Sequence, residues 1–349
     1  MAFFEHIENR GHESVHYFSD PQTGLKAIVA IHSTALGPAA GGSRMWQYDC
    51  EADAIRDALR LSRGMTYKNA MAGLPLGGGK AVILADPEHP PTEAMFHAFG
   101  RCVESLGGRY ITAEDVGVTV ENMRQVKQVT NYVAGLPSNE GSAGGDPSPW
   151  TADGVFLGLV AGAKYQLKTD SLNGIKVAVQ GVGKVGYDLC RQLHEAGAEL
   201  FISDVNPANL QRAKDQFAAK VVSTDSILFE DVDILAPCAM GAILNEQSIP
   251  NIKASVIGGA ANNQLATEAD GQRVFDRGIL YAPDYVINGG GITSVSMEYM
   301  GDKSAQDVRE QIALIPGRLT DIFERSAKQN VPTNVVADAM AESIVAGAR

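Results

Sequence analysis

Cysteine is scarce in this chain: four residues in 349, at Cys50, Cys102, Cys190 and Cys238, with no Cys-X-X-Cys pair. Thiols scattered in this way argue against a disulfide framework or a cysteine zinc site and suit free thiols in a reducing compartment. The seven histidines form no His-Glu-X-X-His pattern, so no metal centre is expected. No apolar run reaches the about 20 residues needed to cross a bilayer. The start, Met1-Ala2-Phe3-Phe4-Glu5-His6, lacks a basic region followed by an apolar core, and no signal peptide is expected. Positive charge is in deficit, 29 Lys and Arg against 41 Asp and Glu, for a net charge of -12. That balance argues against nucleic acid as the main partner. The expectation is a cytoplasmic protein, long enough for two domains, with neither nucleic acid nor membrane as a partner. The chain also lacks internal repeats and low-complexity tracts.

The chemistry that is present concentrates between Arg63 and Lys80. Lys68 and Lys80 lie in this stretch, and Lys80 follows Gly77-Gly78-Gly79 and precedes the apolar run Ala81-Val82-Ile83-Leu84. A glycine run read as a turn lets another group approach the backbone closely. A lysine held there is hard to place as a solvent-facing charge and is a candidate for a lowered pKa. Lys68, toward the end of a helix begun by Asp49, also reads as an ordinary solvated lysine favourable to the helix dipole. Gly73-Leu74-Pro75 stops that helix.

Around this stretch the order β-β-α-β-α-β-α predicts an α/β domain with a mixed sheet. Val15–Phe18 and Leu25–Ile31 read as a hairpin about Asp20–Gly24, and a second helix is predicted over 92–105. Gly37–Arg44 reads either as a plain loop or as a backbone surface for a substrate. Arg109–Ala113 reads as a strand delivering Glu114 and Asp115. Pattern alone leaves Asp115 as either a cleft-facing carboxylate or a surface acid. Thr119 is placed to cap the helix that follows.

Composition changes over Gly135–Pro149, which sets a boundary between a first domain, 1–135, and a second, 136–330. A helix from about Thr151 carries Gly154, Gly158 and Gly162 at a spacing that suits close helix packing. Then Ile175–Gln180 reads as a buried strand, Gly181-Val182-Gly183-Lys184-Val185-Gly186 as a glycine turn, and Tyr187–Ala196 as a helix. The next strand ends in Asp204. Strand, Gly-X-Gly-X-X-Gly, helix and an acidic residue about 20 positions on form the dinucleotide fingerprint of a doubly wound, Rossmann-like parallel sheet. Asp204 suits an adenosine ribose and would repel a 2′-phosphate, which favours NAD over NADP. The loops Gly258–Asn263 and Asn288–Gly291 follow strands of this domain, where a cofactor crevice forms. Ser304–Arg349 reads as helical with a break near Val331-Pro332.

These residues together resemble the dehydrogenases acting on glutamate, leucine, phenylalanine and valine, most closely the leucine branch. The resemblance rests on Gly37–Gly42, Gly64–Lys68, Gly77–Lys80, Ala113–Gly117, Gly145–Pro149, the nucleotide fingerprint, Ala236–Ala239, Gly259–Leu265 and Ala282–Asn288. It implies reversible, NAD-dependent oxidative deamination of an L-amino acid to a 2-oxo acid, ammonia and NADH, in a homo-oligomer, dimer or higher. It implies a substrate domain and a nucleotide domain with a cleft between them, the C-terminal helix, about 331–349, returning to the first. It implies Lys80 and Asp115 as catalytic residues and Lys68 as the binder of the substrate carboxylate. Further substrate contacts are implied for Gly41, Gly42, Met65, Ala40, Ala113, Ala134, Asn262, Ile292 and Val295. Cofactor contacts are implied for the fingerprint residues 181–186, Asp204, Thr151, Cys238, Ala239, Ala260, Asn262 and Asn288. Ala40 stands where the leucine enzymes usually carry leucine, and Ala134 near a position where they often carry threonine. Both remove volume beside the side-chain pocket. Lys184 replaces a frequent asparagine and Val118 a common threonine. The substrate expected is apolar, leucine and other branched-chain amino acids first, with phenylalanine or another aromatic and valine as alternatives. A non-catalytic NAD-binding regulator is disfavoured by the intact lysines and aspartate. An NAD-linked hydroxy-acid dehydrogenase is disfavoured because no motif holds a histidine.

Overall fold

The hairpin predicted at the start becomes β1 (Ser14–Asp20) and β2 (Leu25–Ser33), paired antiparallel through the turn between them. The computed structural model describes residues 11–88, 90–136 and 143–348. Met1–His6 and the middle of the loop expected at 135–149 lie outside the described residues.

Packing groups the chain into two units. The first comprises 1–146, 294–305 and 341–349, and the second 147–293 and 306–340. In the first, β2 is buried on both faces apart from Lys26. It pairs antiparallel with β5 (Gly77–Leu84), and the sheet continues through β3 (Ala39–Ala40) to β6 (Tyr110–Ile111), with β4 (Ser43–Trp46) also parallel to β5. The Gly37–Arg44 segment is therefore not wholly loop; it contributes two short strands. Helix α1 (Glu51–Ala72) lies on one face, and α2 (Glu93–Ser105) and α3 (Val120–Lys127) complete the predicted helices of the unit. Alternation along the strands sorts the two cores. Val29, Ile31, Ala81 and Ile83 join Phe96, Phe99 and Tyr110. Ile28, Ala30 and Val82 meet Ala54, Ala58 and Leu59 of α1.

One local expectation changes, and the caps expected at Gly73 and Thr119 hold. Helix α1 starts after Cys50, not Asp49; Cys50 is extended at φ -152 and its carbonyl accepts from the Asp53 amide at 3.1 Å. Glu51 and Asp53 still place negative charge in the first turn, and Gly73 ends the helix at φ 68. Thr119 caps α3 in a reciprocal box with Asn122.

The second unit holds a six-stranded parallel sheet in the order β12-β11-β10-β7-β8-β9. Its strands are β7 (Lys176–Gln180), β8 (Glu199–Ser203), β9 (Lys220–Val221), β10 (Ile234–Pro237), β11 (Val256–Ile257) and β12 (Leu280–Tyr281). The order turns back at β7, as in a doubly wound fold. Helix α4 (Pro147–Gly162) begins four residues before the expected Thr151. Its two prolines fall in the first turn, whose N–H groups need no intrahelical partner. A Cβ on Gly154 would meet Ile315 Cδ1 at 2.8 Å, and one on Gly158 would meet Ile287 Cγ1 at 2.4 Å. The glycine stripe is therefore a packing surface. Helix α5 (Lys184–Glu195) starts inside the fingerprint, ahead of the predicted Tyr187. Then come α6 (Pro207–Phe217), α7 (Glu268–Asp276), α8 (Asp284–Ile287) and α9 (Gly290–Met300). The expected loop at Asn288–Gly291 is thus partly helical. The last segment forms α10 (Ala305–Ile312), α11 (Ile315–Gln329) and α12 (Thr333–Gly347), with an additional break before Pro316. Among the described residues no helix is long and apolar enough to cross a membrane.

Candidate active site and nucleotide-binding site

Lys80 is placed by strand alternation. Gly77, Gly79 and Ala81 face one side of β5, and Gly78, Lys80 and Val82 face the side covered by α1. The three glycines, expected as a turn, are extended strand. Each lies where a side chain cannot fit: a Cβ on Gly78 would sit 2.1 Å from the Thr66 amide nitrogen, and one on Gly79 would sit 2.7 Å from the Tyr110 ring. Close approach of α1 leaves Lys80 with a side chain only 7 % exposed.

Asp115 arrives from the segment after β6. Its Oδ2 accepts a hydrogen bond from Lys80 Nζ at 2.5 Å. The backbone there is tightly packed: a Cβ on Gly42 would meet the Glu114 carbonyl oxygen at 2.4 Å and Asp115 Cβ at 2.9 Å. A Cβ on Gly41 would meet the Gly79 carbonyl oxygen, and Met65 Cγ of α1 at 3.1 Å. Tyr110 donates its hydroxyl to the Gly41 carbonyl at 2.6 Å, and Ser43 and Thr112 share a short hydroxyl contact. The glycine loop is thus a packed wall beside Lys80 and Asp115.

Burial pushes the Lys80 ammonium below its ordinary value, assisted by the positive charge of Arg44 and opposed by Asp115. Burial works to raise the Asp115 carboxyl, but the charge and hydrogen bond of Lys80, with help from Arg44, bring it below its ordinary value. Arg44 Nε donates to Asp115 Oδ2 at 3.2 Å, and its Nη1 donates to Asp57 Oδ2 on α1 at 2.9 Å. Tyr48 donates to the same Asp57 oxygen at 2.7 Å. Sequence reasoning missed Asp57 and Tyr48 and left Arg44 in a loop. The available signal was Asp57 beside the apolar positions Ala54 and Ala58 of an amphipathic helix.

The other substrate-side residues distribute as follows. Lys68 is half-buried on α1, two positions beyond Thr66. Ala40 pairs with Gly78 in parallel register and shares the Lys80 face of the sheet; it is buried. Ala134 is buried and donates its amide to the Thr112 carbonyl at 2.8 Å, next to half-buried Ala113. Val295 belongs to the first unit, while Ile292 and Asn262 belong to the second. Glu298, also missed, accepts the Gly135 and Leu136 amides at 2.7 and 3.2 Å and so fixes the backbone that follows Ala134.

In the second unit the fingerprint has the form expected for a dinucleotide's pyrophosphate. Gly181 turns at φ 91, and a Cβ on Gly186 would lie 1.9 Å from the Gly181 carbonyl oxygen. Exposed Gly183 caps α5, and a Cβ there would meet nothing within 4 Å among the described residues. Val182, Lys184 and Val185 flank it at the helix N-terminus, where amides face outward toward negative charge. Asp204 accepts the Val182 and Asn206 amides at 2.8 and 2.7 Å, which ties the end of β8 to the turn. Gln180 Oε1, Ser203 Oγ and Asn288 Oδ1 are buried oxygens without a hydrogen-bond partner among the described residues. The first two lie at the carboxyl ends of β7 and β8. Asn288 Nδ2 donates to the Ala260 carbonyl at 3.1 Å and to Asn262 Oδ1 at 2.8 Å. A Cβ on Gly181 would touch Ala239, and Cys238 lies under Gly186 with its thiol pushed up to about 11 by burial. Thr151 donates to the Pro147 carbonyl at 2.9 Å. Open backbone, helix N-terminus and unpartnered oxygens fit a dinucleotide.

Known proteins carry the same pattern. The chain is 51% identical over 342 residues to leucine dehydrogenase of Bacillus subtilis (strain 168), covering 98% of this chain and 93% of that one. It is 45% identical over 347 residues to valine dehydrogenase of Streptomyces virginiae, covering 99% and 96%. The crystal structure of L-tryptophan dehydrogenase from Nostoc punctiforme superposes with a TM-score of 0.88 at 44% identity, over 99% of each chain. The family model described as Glu/Leu/Phe/Val dehydrogenase, dimerisation domain, matches residues 12–132, and that described as Glutamate/Leucine/Phenylalanine/Valine dehydrogenase matches residues 202–348. With these matches across nearly its whole length, the chain belongs to the Glu/Leu/Phe/Val dehydrogenase family of oxidoreductases.

Proposed function

We propose that the protein catalyses reversible, NAD-dependent oxidative deamination of an apolar L-amino acid, leucine and its branched-chain neighbours first. The observation that carries this reading is the buried Lys80–Asp115 pair, 2.5 Å between Nζ and Oδ2, with the lysine pKa lowered by burial. Bound NAD supplies a hydride acceptor for the substrate Cα. Lys68 binds the substrate carboxylate, and Asp115 moves protons to and from the amino group. Once Cα has lost its hydride, the substrate is an iminium that water must attack. Neutral Lys80 takes the proton of that water, and the resulting ammonium stabilises the carbinolamine oxygen until ammonia leaves. Burial favours the neutral amine that this step needs.

The first unit serves as the substrate and oligomerisation domain and the second as the nucleotide domain. Asp204 supports NAD over NADP, since a carboxylate beside the ribose repels a 2′-phosphate. The free cysteines support a cytoplasmic setting. The edge strand β1, with Tyr17 about half exposed, supports assembly into a homo-oligomer.

A second reading, an aromatic amino acid, is favoured by the two buried alanines, Ala40 and Ala134, in the expected pocket wall. An apolar pocket separates neighbours that differ by a methylene by only about 1–3 kcal/mol, so the ranking must be measured. The test is NADH formation with L-leucine, L-isoleucine, L-valine, L-phenylalanine, L-tryptophan and L-glutamate, with an NADP arm. Highest kcat/KM for leucine is expected. No turnover with any member would sink the enzyme reading, and equal use of NADP would sink the role given to Asp204.

A further inference from the structure

The Lys80–Asp115 pair is braced from behind by a side chain to which no role has yet been given. Arg44 lies on β4, in register with Val82 of β5, and so shares the sheet face of Lys80. Its guanidinium spans two carboxylates from two other elements: Asp57 of α1 through Nη1 at 2.9 Å, and Asp115 after β6 through Nε at 3.2 Å. The fork is partly buried, with side chains of Arg44, Asp57 and Asp115 exposed by 23%, 15% and 25%. A guanidinium holds its donors in one rigid plane, so it sets the separation and orientation of both acids in a way that a lysine on a flexible stem does not. Tyr48 fixes the far end, donating to Asp57 Oδ2 at 2.7 Å. Lys80 and Arg44 both donate to Asp115 Oδ2, so the carboxylate is aimed by two donors at one oxygen, and Oδ1 makes neither contact.

We propose that Arg44 is a positioning residue of the deamination reaction: anchored by Asp57 and Tyr48, it fixes the Asp115 carboxylate against Lys80 Nζ and turns Oδ1 toward the substrate amino group. The inference rests on the assignment of Lys80 and Asp115 to the chemistry. It adds a three-element brace, α1 to β4 to the segment after β6, whose loss frees Asp115 to rotate.

The charges give the brace a signature that simple loosening does not share. Asp115, Arg44 and Asp57 face the Lys80 amine. Arg44 faces Asp115, Asp57 and Tyr48, and Asp57 also takes Arg60 at 3.4 Å from the solvent side. Tyr110, on the opposite sheet face, also senses the Asp115 charge. Arg44 favours the neutral form of Lys80 and Asp57 favours the charged form. Removing Arg44 therefore raises the Lys80 pKa, and removing Asp57 lowers it.

The test compares the pH profiles of kcat/KM for oxidative deamination in wild type, Arg44→Gln, Arg44→Lys and Asp57→Asn, with the best amino acid of the panel. Thermal denaturation and NADH binding check the fold of each variant. Arg44→Gln is expected to lower kcat at least tenfold and to move the acid limb upward. Asp57→Asn is expected to move it downward. Arg44→Lys, which keeps the charge and loses the fork, should keep the limb in place with kcat still reduced. A uniform loss at every pH, with neither limb moving, would overturn the proposal. If Arg44→Gln does not fold, the direction of the Asp57→Asn limb decides alone. Lys80→Ala separates the two readings: near-normal kcat there removes the base assignment itself, whereas its loss alongside unmoved Arg44 and Asp57 limbs removes only the brace.

Discussion

As the proposed base of the reaction, Lys80 answers two opposed demands with one environment. It must be neutral to take a proton, yet it must also carry the ammonium that follows. Burial favours the amine, Asp115 at 2.5 Å favours the ammonium, and burial prevails, so the pKa falls below the 10.5 of a free lysine. Activity in the deamination direction should therefore rise with pH through a limb below 10.5, because only the deprotonated amine is the base. Lys80→Ala removes the proposed base and is expected to lower kcat by about 10²–10⁴-fold with NADH affinity retained. Stopped-flow or steady-state rates paired with fluorescence titration of NADH measure both quantities. A variant with near-normal kcat would mean that another group takes the proton.

At the scale of elements, the glycines of β5 set the geometry more than any side chain does. Gly78 lets the α1 backbone rest on the sheet; a Cβ there would lie 2.1 Å from Thr66 N and 2.5 Å from Thr66 Cα, which are backbone atoms that cannot rotate away. Gly78→Ala is expected to cost about 1–3 kcal/mol or more, read as a lower urea midpoint at unchanged slope. An unchanged midpoint would mean that α1 can slide. This also marks where the sequence was legible. Glycine is depleted in strands, so three in a row read as a turn; pairing with β2 and β3 makes them strand, and Ser33 and Tyr110 on one face and Thr66 of α1 on the other leave no room for side chains. The nucleotide fingerprint, the hairpin and the caps at Gly73 and Thr119 were legible because each is specified by neighbours in sequence. The Arg44 brace was not, because Arg44 and Asp115 are 71 positions apart and neither residue's surroundings name the other. The glycine loop at 37–44 hid two short strands for a similar reason: strands of two and four residues are too short to show a period and are defined by their partners, Gly77, Gly78, Tyr110 and Ile111 for β3 and Ala81 to Leu84 for β4.

At the scale of the whole molecule, fold and ligand binding can be separated within a single motif. Gly186 and Gly183 stand three residues apart at the start of α5, and both belong to the dinucleotide pattern. A Cβ on Gly186 would lie 1.9 Å from the Gly181 carbonyl oxygen, so that glycine is required by the protein's own backbone. A Cβ on Gly183 would meet nothing within 4 Å among the described residues, and its φ is -65, which any residue adopts. In the proposed nucleotide site, what would exclude a side chain at Gly183 is the dinucleotide. Ligand that binds only the folded state stabilises it by about 2.7 kcal/mol at a hundred times its Kd. Gly186→Ala should therefore lower the melting temperature of the protein alone. Gly183→Ala should melt like wild type alone, yet fail to gain stability when NADH is added at that level. Differential scanning calorimetry with and without NADH distinguishes the two. A Gly183→Ala protein that gains the full wild-type increment would mean that the pyrophosphate does not approach this turn.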